Sequence, residues 1–83
     1  MHETMIAESL LATISDEAAK QNAKPISAKI SCGMLSAVND EILCFAFQAV
    51  AKGTPCEGMR LKIEHKAKPD APLLLEEIEF ETE

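Results

Sequence analysis

Apolar residues recur early in the chain at Ile6, Leu10, Leu11, Ile14 and Ala18, while Glu8, Ser9, Asp16 and Lys20 fall on the other side. This is helical spacing, and it predicts a first helix from about residue 3 or 4 to about residue 21. The helix should stop at Asn22-Ala23-Lys24-Pro25, because a residue preceding proline is pushed out of helical geometry. The period then changes. Ile26, Ala28, Ile30 and Cys32 alternate with Ser27, Lys29 and Ser31, which predicts a strand with one apolar face, ended by Gly33. Asn39 followed by Asp40-Glu41 reads as an N-cap with acids in the first turn. The second helix it opens should run to about residue 52, with a stripe of Ile42, Leu43, Ala46, Phe47 and Val50. Gly53-Thr54-Pro55 stops that helix. Alternation returns as Met59, Leu61, Ile63 and His65 against Arg60, Lys62 and Glu64. A short polar link over 66–72 leads to Leu73, Leu75, Ile78 and Phe80, and the period slips by one at Glu76-Glu77, as a β-bulge would produce.

The order helix, strand, helix, strand, strand, with one apolar face per strand, predicts an α+β fold. Both helices should cover one face of a three-stranded mixed sheet, making a two-layer α/β sandwich. Strand, helix and strand in succession imply a right-handed crossover between two parallel strands, with the third strand antiparallel. The 83 residues make one small domain, 1–83, able to bury about 60–65% of the surface its unfolded chain exposes. A first helix of about 18 residues spans roughly 27 Å and a strand of about nine residues roughly 30 Å. These lengths match, so the end of strand 1 should return close to the start of helix 1. By the same zig-zag His2, Glu3, Asp40 and His65 should share one edge.

Composition narrows the partners. A hydrophobic content of 47% with 27% charged residues is ordinary for a globular chain, and no apolar run approaches the roughly 20 residues of a membrane span. The formal charge of −6 and the absence of tryptophan and tyrosine argue against a nucleic-acid partner. Cys32, Cys44 and Cys56 form no Cys-x-x-Cys pair and no secretory leader is read ahead of them, so free thiols in a cytoplasmic protein are expected. Cys32 should be core, whereas Cys44 and Cys56 read as possible reactive thiols. No nucleophile–base arrangement or phosphate loop stands out, and an enzyme is not expected.

The candidate chemistry lies at the start. In Met1-His2-Glu3 the imidazole of His2, its backbone nitrogen and the terminal amine lie within a few bonds and can close small chelate rings. Nitrogen donors in a plane suit Ni(II) or Cu(II) better than Zn(II). A second residue as bulky as histidine should leave Met1 in place. The bland alternative is a solvated histidine on a frayed terminus. Each neighbour also has two readings: Glu3 and Asp40 as metal ligands or as acids favoured at helix starts, and His65 as a ligand or as the residue closing the end of the core.

Met1-His2-Glu3 opening the first helix, Gly33-Met34-Leu35-Ser36-Ala37-Val38, Glu41-Ile42-Leu43-Cys44-Phe45-Ala46-Phe47 and Lys52-Gly53-Thr54 make a longer pattern. Gly58-Met59-Arg60-Leu61-Lys62-Ile63-Glu64 and Glu77-Ile78-Glu79-Phe80-Glu81 complete it. The chain resembles the HypA family, nickel-incorporation metallochaperones of hydrogenase and urease maturation. The resemblance implies a cytoplasmic Ni(II)-binding domain, with His2 and backbone nitrogens near the start holding the metal in a near-planar site. It associates Glu3 with that site, and Asp40 falls where some members carry an acid implicated in nickel binding. It implies as partners a maturation GTPase or a hydrogenase large-subunit precursor, with the domain a monomer or weak homodimer. One departure is large. The family normally inserts a zinc domain with two Cys-x-x-Cys pairs between the last two strands, where this chain has only the 66–72 link. A structural zinc site needs four ligands, so no structural zinc is expected. The competing expectation is an interaction or regulatory module on the same fold that has lost metal transfer.

Overall fold

The computed structural model describes residues 3–33 and 39–81. It contains α1 (Glu3–Gln21), β1 (Pro25–Gly33), α2 (Asp40–Ala51), β2 (Arg60–Lys66) and β3 (Leu74–Phe80). The first helix ends as its sequence requires, by a local device besides Pro25. Asn22 takes a left-handed φ of 51°, with Asn22 N–H bonded to Ala19 O and Ala23 N–H to Ala18 O, both at 3.2 Å. This pair of bonds is a Schellman cap, and asparagine is among the few side chains that accept its geometry. At α2 the Asn39 side chain accepts from Ile42 N at 3.0 Å, while its carbonyl accepts from Leu43 N, as the N-cap reading predicts.

The sheet has the order β2-β1-β3. The central strand β1 is parallel to β2, with Ala28 opposite Leu61, Ile30 opposite Ile63 and Cys32 opposite His65. It is antiparallel to β3. Because β3 lies on the far side of β1 from β2, the 66–72 link crosses the end of the central strand. Gly33 makes that crossing possible. Its N–H donates to Ala71 O at 3.0 Å, and a Cβ at this position would meet Pro69 O at 2.5 Å and Ala71 N and Lys68 O at 2.8 Å.

The period slip at Glu76-Glu77 is real: β3 pairs Glu77 with Lys29 and Leu75 with Ile30, leaving Glu76 as the extra residue. A second irregularity lies in β1, where Pro25 faces Phe80 and Ser27 faces Glu79. Ile26, read from the alternation as inward-facing, is the unpaired residue there and is exposed. A bulge shifts the local side-chain alternation.

Ala7, Leu10 and Ile14 of α1, Ala28 and Ile30 of β1, and Leu43, Ala46, Phe47 and Ala51 of α2 form one buried core with Cys56 and Met59. Leu61, Ile63, Leu73, Leu75 and Ile78 pack against it. Both helices therefore lie against the same sheet face, and the other face carries Ser27, Lys29, Lys62, Glu77 and Glu79. Two further expectations fail. Ile42, placed on the inward stripe, is exposed, since successive helical residues turn by about 100° and the buried arc runs from Ala46 through Leu43 to Ala51. Cys56, read as a possible reactive thiol, is fully buried, with its Sγ 3.5 Å from Ser15 Oγ.

Candidate metal-site edge

Matching element lengths bring the starts of α1 and α2 together with the end of β2. Glu3 Oε2 accepts from the backbone N–H of Asn39 at 3.1 Å, tying the first residue of α1 to the cap of α2. One residue on, both carboxylate oxygens of Asp40 approach His65 Nε2, Oδ1 at 2.8 Å and Oδ2 at 2.9 Å. The other ring nitrogen of His65, Nδ1, lies 3.5 Å from Cys32 Sγ. Glu3, Asp40 and His65 thus meet at one edge, as the zig-zag predicts. Met1 and His2, the centre of the predicted chelate, lie outside the described residues.

The edge has a gradient of burial. Cys32 is fully buried, whereas the His65 and Asp40 side chains are 40% and 45% exposed. His65 does follow Ile63 on the inward face, but it caps that face at the rim and does not sit within it. Cys44, one helical turn beyond Asp40, has its thiol pushed up from its usual pKa, first by burial and then by the Asp40 negative charge. It is therefore less thiolate at neutral pH than an ordinary cysteine and a poorer nucleophile.

Among the described residues no group of three or more His, Cys, Asp or Glu side chains is arranged to hold a metal ion. The two His65 nitrogens point in different directions, so Cys32 and Asp40 do not converge on one point. Sequence reasoning missed two contributors: Cys32, read only as core, and the backbone N–H of Asn39. The first becomes visible only through the β1–β2 register.

The family model described as hydrogenase/urease nickel incorporation, metallochaperone, HypA, matches residues 1–69. The chain belongs to the HypA family. The hydrogenase maturation factor HypA of Methanopyrus kandleri is 38% identical over 65 residues, covering 77% of this chain and 46% of that protein. The HypA of Solidesulfovibrio magneticus is 41% identical over 76 residues, covering 90% of this chain and 61% of that protein. The chain thus spans about half the length of the curated HypA relatives it matches. The solution structure of the Ni metallochaperone HypA from Helicobacter pylori shares the fold, with a TM-score of 0.71 at 20% identity over 99% of this chain and 95% of that one. Among the described residues no helix is long and apolar enough to cross a membrane.

Proposed function

We propose that this HypA-family domain binds Ni(II) at its amino-terminal edge and passes it on during maturation of hydrogenase or urease. The observation that carries the reading is the family match from residue 1, which takes in Met1-His2-Glu3, together with the meeting of Glu3, Asp40 and His65 at one edge. The terminal amine of Met1, backbone nitrogens and the His2 imidazole supply a set of nitrogen donors suited to Ni(II). Asp40 and His65 supply the rest. Two ligands at right angles on a metal, each about 2.1 Å from it, are separated by roughly 3 Å, close to the 2.8 Å between His65 Nε2 and Asp40 Oδ1. For a metal ion to replace the hydrogen between them, the imidazole and the carboxylate must turn so that their lone pairs meet at the ion instead of facing each other. Glu3, bonded to Asn39, orients the start of α1 toward that pair.

An exposed rim suits a carrier, because a buried cage would hold its ion against release. Protons compete for the same nitrogens, so nickel affinity should fall as pH falls. The recipient in this reading is a maturation GTPase or hydrogenase large-subunit precursor. The resemblance puts the family's zinc domain where this chain has the 66–72 link, and this reading calls on no structural zinc. Ni(II) titration of protein with a free Met1 amine tests the proposal. Wild type should bind one equivalent, and His2→Ala should lose most of the affinity; equal binding by the two, or no stoichiometric binding by either, overturns it. A module that docks without metal is the second reading. It is favoured by three exposed apolar side chains on the helices, Met5, Ile42 and Phe45, and predicts no stoichiometric nickel.

A further inference from the structure

Three large apolar side chains stand out from the helix layer: Met5 is 67% exposed, Ile42 53% and Phe45 76%. Met5 precedes the buried Ala7 by two residues, and Phe45 lies two residues from both Leu43 and Phe47, which are also buried. Two residues are about 200° of helical turn, so both side chains point away from the core. Ile42 lies three residues before Phe45 and shares its side of α2. The two helices pack side by side, and the bond from Asn39 to Glu3 ties their starts together. Met5 and Ile42 follow those two residues closely, so the three side chains border the outward groove between the helices near their starts. One exposed apolar side chain needs no explanation, whereas a group of them rimmed by charge marks a contact surface.

The rim has one sign. The helices carry Glu3, Glu8, Asp16, Glu17, Asp40 and Glu41 but a single lysine, Lys20, in the last turn of α1, and Lys20 is already paired with Asp16. The lysines and arginine of the strands, Lys29, Arg60, Lys62 and Lys66, belong to the sheet. Glu8 and Glu41 are exposed and have no ion-pair partner among the described residues. A second copy would bring the same acids against them, with the same formal charge of −6, and is repelled; a partner with Lys or Arg beside its apolar residues is attracted. The backbone groups of α1 and α2 bond along their own helices, so this face offers a partner only side chains. An extended peptide would leave its own N–H and C=O groups unpaired at the contact, whereas a helix satisfies them internally. We propose that the outward groove between the starts of α1 and α2 docks a cationic amphipathic helix of a protein partner, its apolar stripe on Met5, Ile42 and Phe45 and its Lys or Arg side chains against Glu8 and Glu41. This surface serves the docking that both readings above call for, and it requires no bound nickel.

The test uses the full ¹⁵N-labelled chain and two synthetic helical peptides of about 18 residues. Both carry the same leucine stripe at helical spacing, one flanked by lysines and the other by glutamates. At ~0.05 M salt the lysine peptide should shift the amide resonances of Met5, Ile42, Phe45 and their neighbours, and the glutamate peptide should not bind. Phe45→Gln should weaken lysine-peptide binding about tenfold or more. Glu8→Lys combined with Glu41→Lys should weaken it about three- to tenfold, a difference that should shrink at ~0.5 M salt. Phe45 is exposed, so its replacement leaves the core intact, which the amide spectrum of the free variant verifies. No binding of the lysine peptide, shifts centred on the acids of β3, equal binding of the two peptides, or undiminished binding by Phe45→Gln each overturns the inference. A dimer of the peptide-free wild type that Phe45→Gln abolishes, read by sedimentation, also overturns it, because a second copy then covers the face. Ni(II) titration of Phe45→Gln should match wild type, which keeps the two failures apart. Nickel binding without lysine-peptide binding removes this inference alone, and lysine-peptide binding without stoichiometric nickel sustains it under the second reading.

Discussion

His65 and Lys29 each end against a carboxylate, one at the amino-terminal edge and the other on the open face of the sheet. His65 meets Asp40 at 2.8 Å, and Lys29 meets Glu64 at 3.2 Å with the two side chains 42% and 49% exposed. The Lys29 pKa is raised, chiefly by its hydrogen bond to Glu64. On the open face partners are interchangeable: Lys66 reaches both Glu64 and Glu76, and Ser27 and Ser31 donate to Glu79 and Glu76. Long solvated side chains make and break such pairs at little net gain. At the edge the same types of group are anchored from behind, by a buried sulfur, an N-cap and a glycine with no room for a Cβ. Defined geometry comes from those anchors, and a ligand set needs it.

That contrast can be broken at several points. Gly33→Ala should have the largest effect, because its new methyl group meets three backbone atoms of the link at 2.8 Å or less. A loss of about 1–3 kcal/mol is expected from overpacking, read by urea denaturation, and a neutral outcome would mean that the link does not pack on β1. Asn39→Ala removes the cap of α2 and should cost about 1 kcal/mol, visible as a lower melting temperature. Asp40→Asn removes one of the two causes that raise the Cys44 pKa, so alkylation of Cys44 at neutral pH should speed up by about two- to threefold. Because burial is the larger cause, the thiol should still react more slowly than in an unfolded control. Lys29→Met on the open face should change stability by less than about 0.5 kcal/mol; a loss of 2 kcal/mol or more would show that the open face is as firmly built as the edge.

Much of the fold is legible in local pattern. The stop of α1 and the start of α2 follow from Asn22, Pro25 and Asn39, and the Glu76 bulge shows as a slip in alternation. Even the edge can be anticipated, since helix and strand lengths alone bring Glu3, Asp40 and His65 together. Ile26 and Ile42 were misread for one reason: alternation and helical spacing report what a segment offers, and burial depends on what covers it. The second β1 irregularity turns Ile26 outward, and no described element covers the side of α2 on which Ile42 sits.

The amino-acid sequence by itself thus determined the order of elements, the single apolar face of the sheet and the residues that gather at the amino-terminal edge, because each depends on periodicity and chain length. Only the tertiary structure decided that β3 crosses to the far side of β1, that Cys56 is interior and that Cys32 stands against the His65 ring. Those features depend on cross-strand register and on backbone segments meeting at Gly33, contacts between residues far apart in the chain that no local pattern encodes.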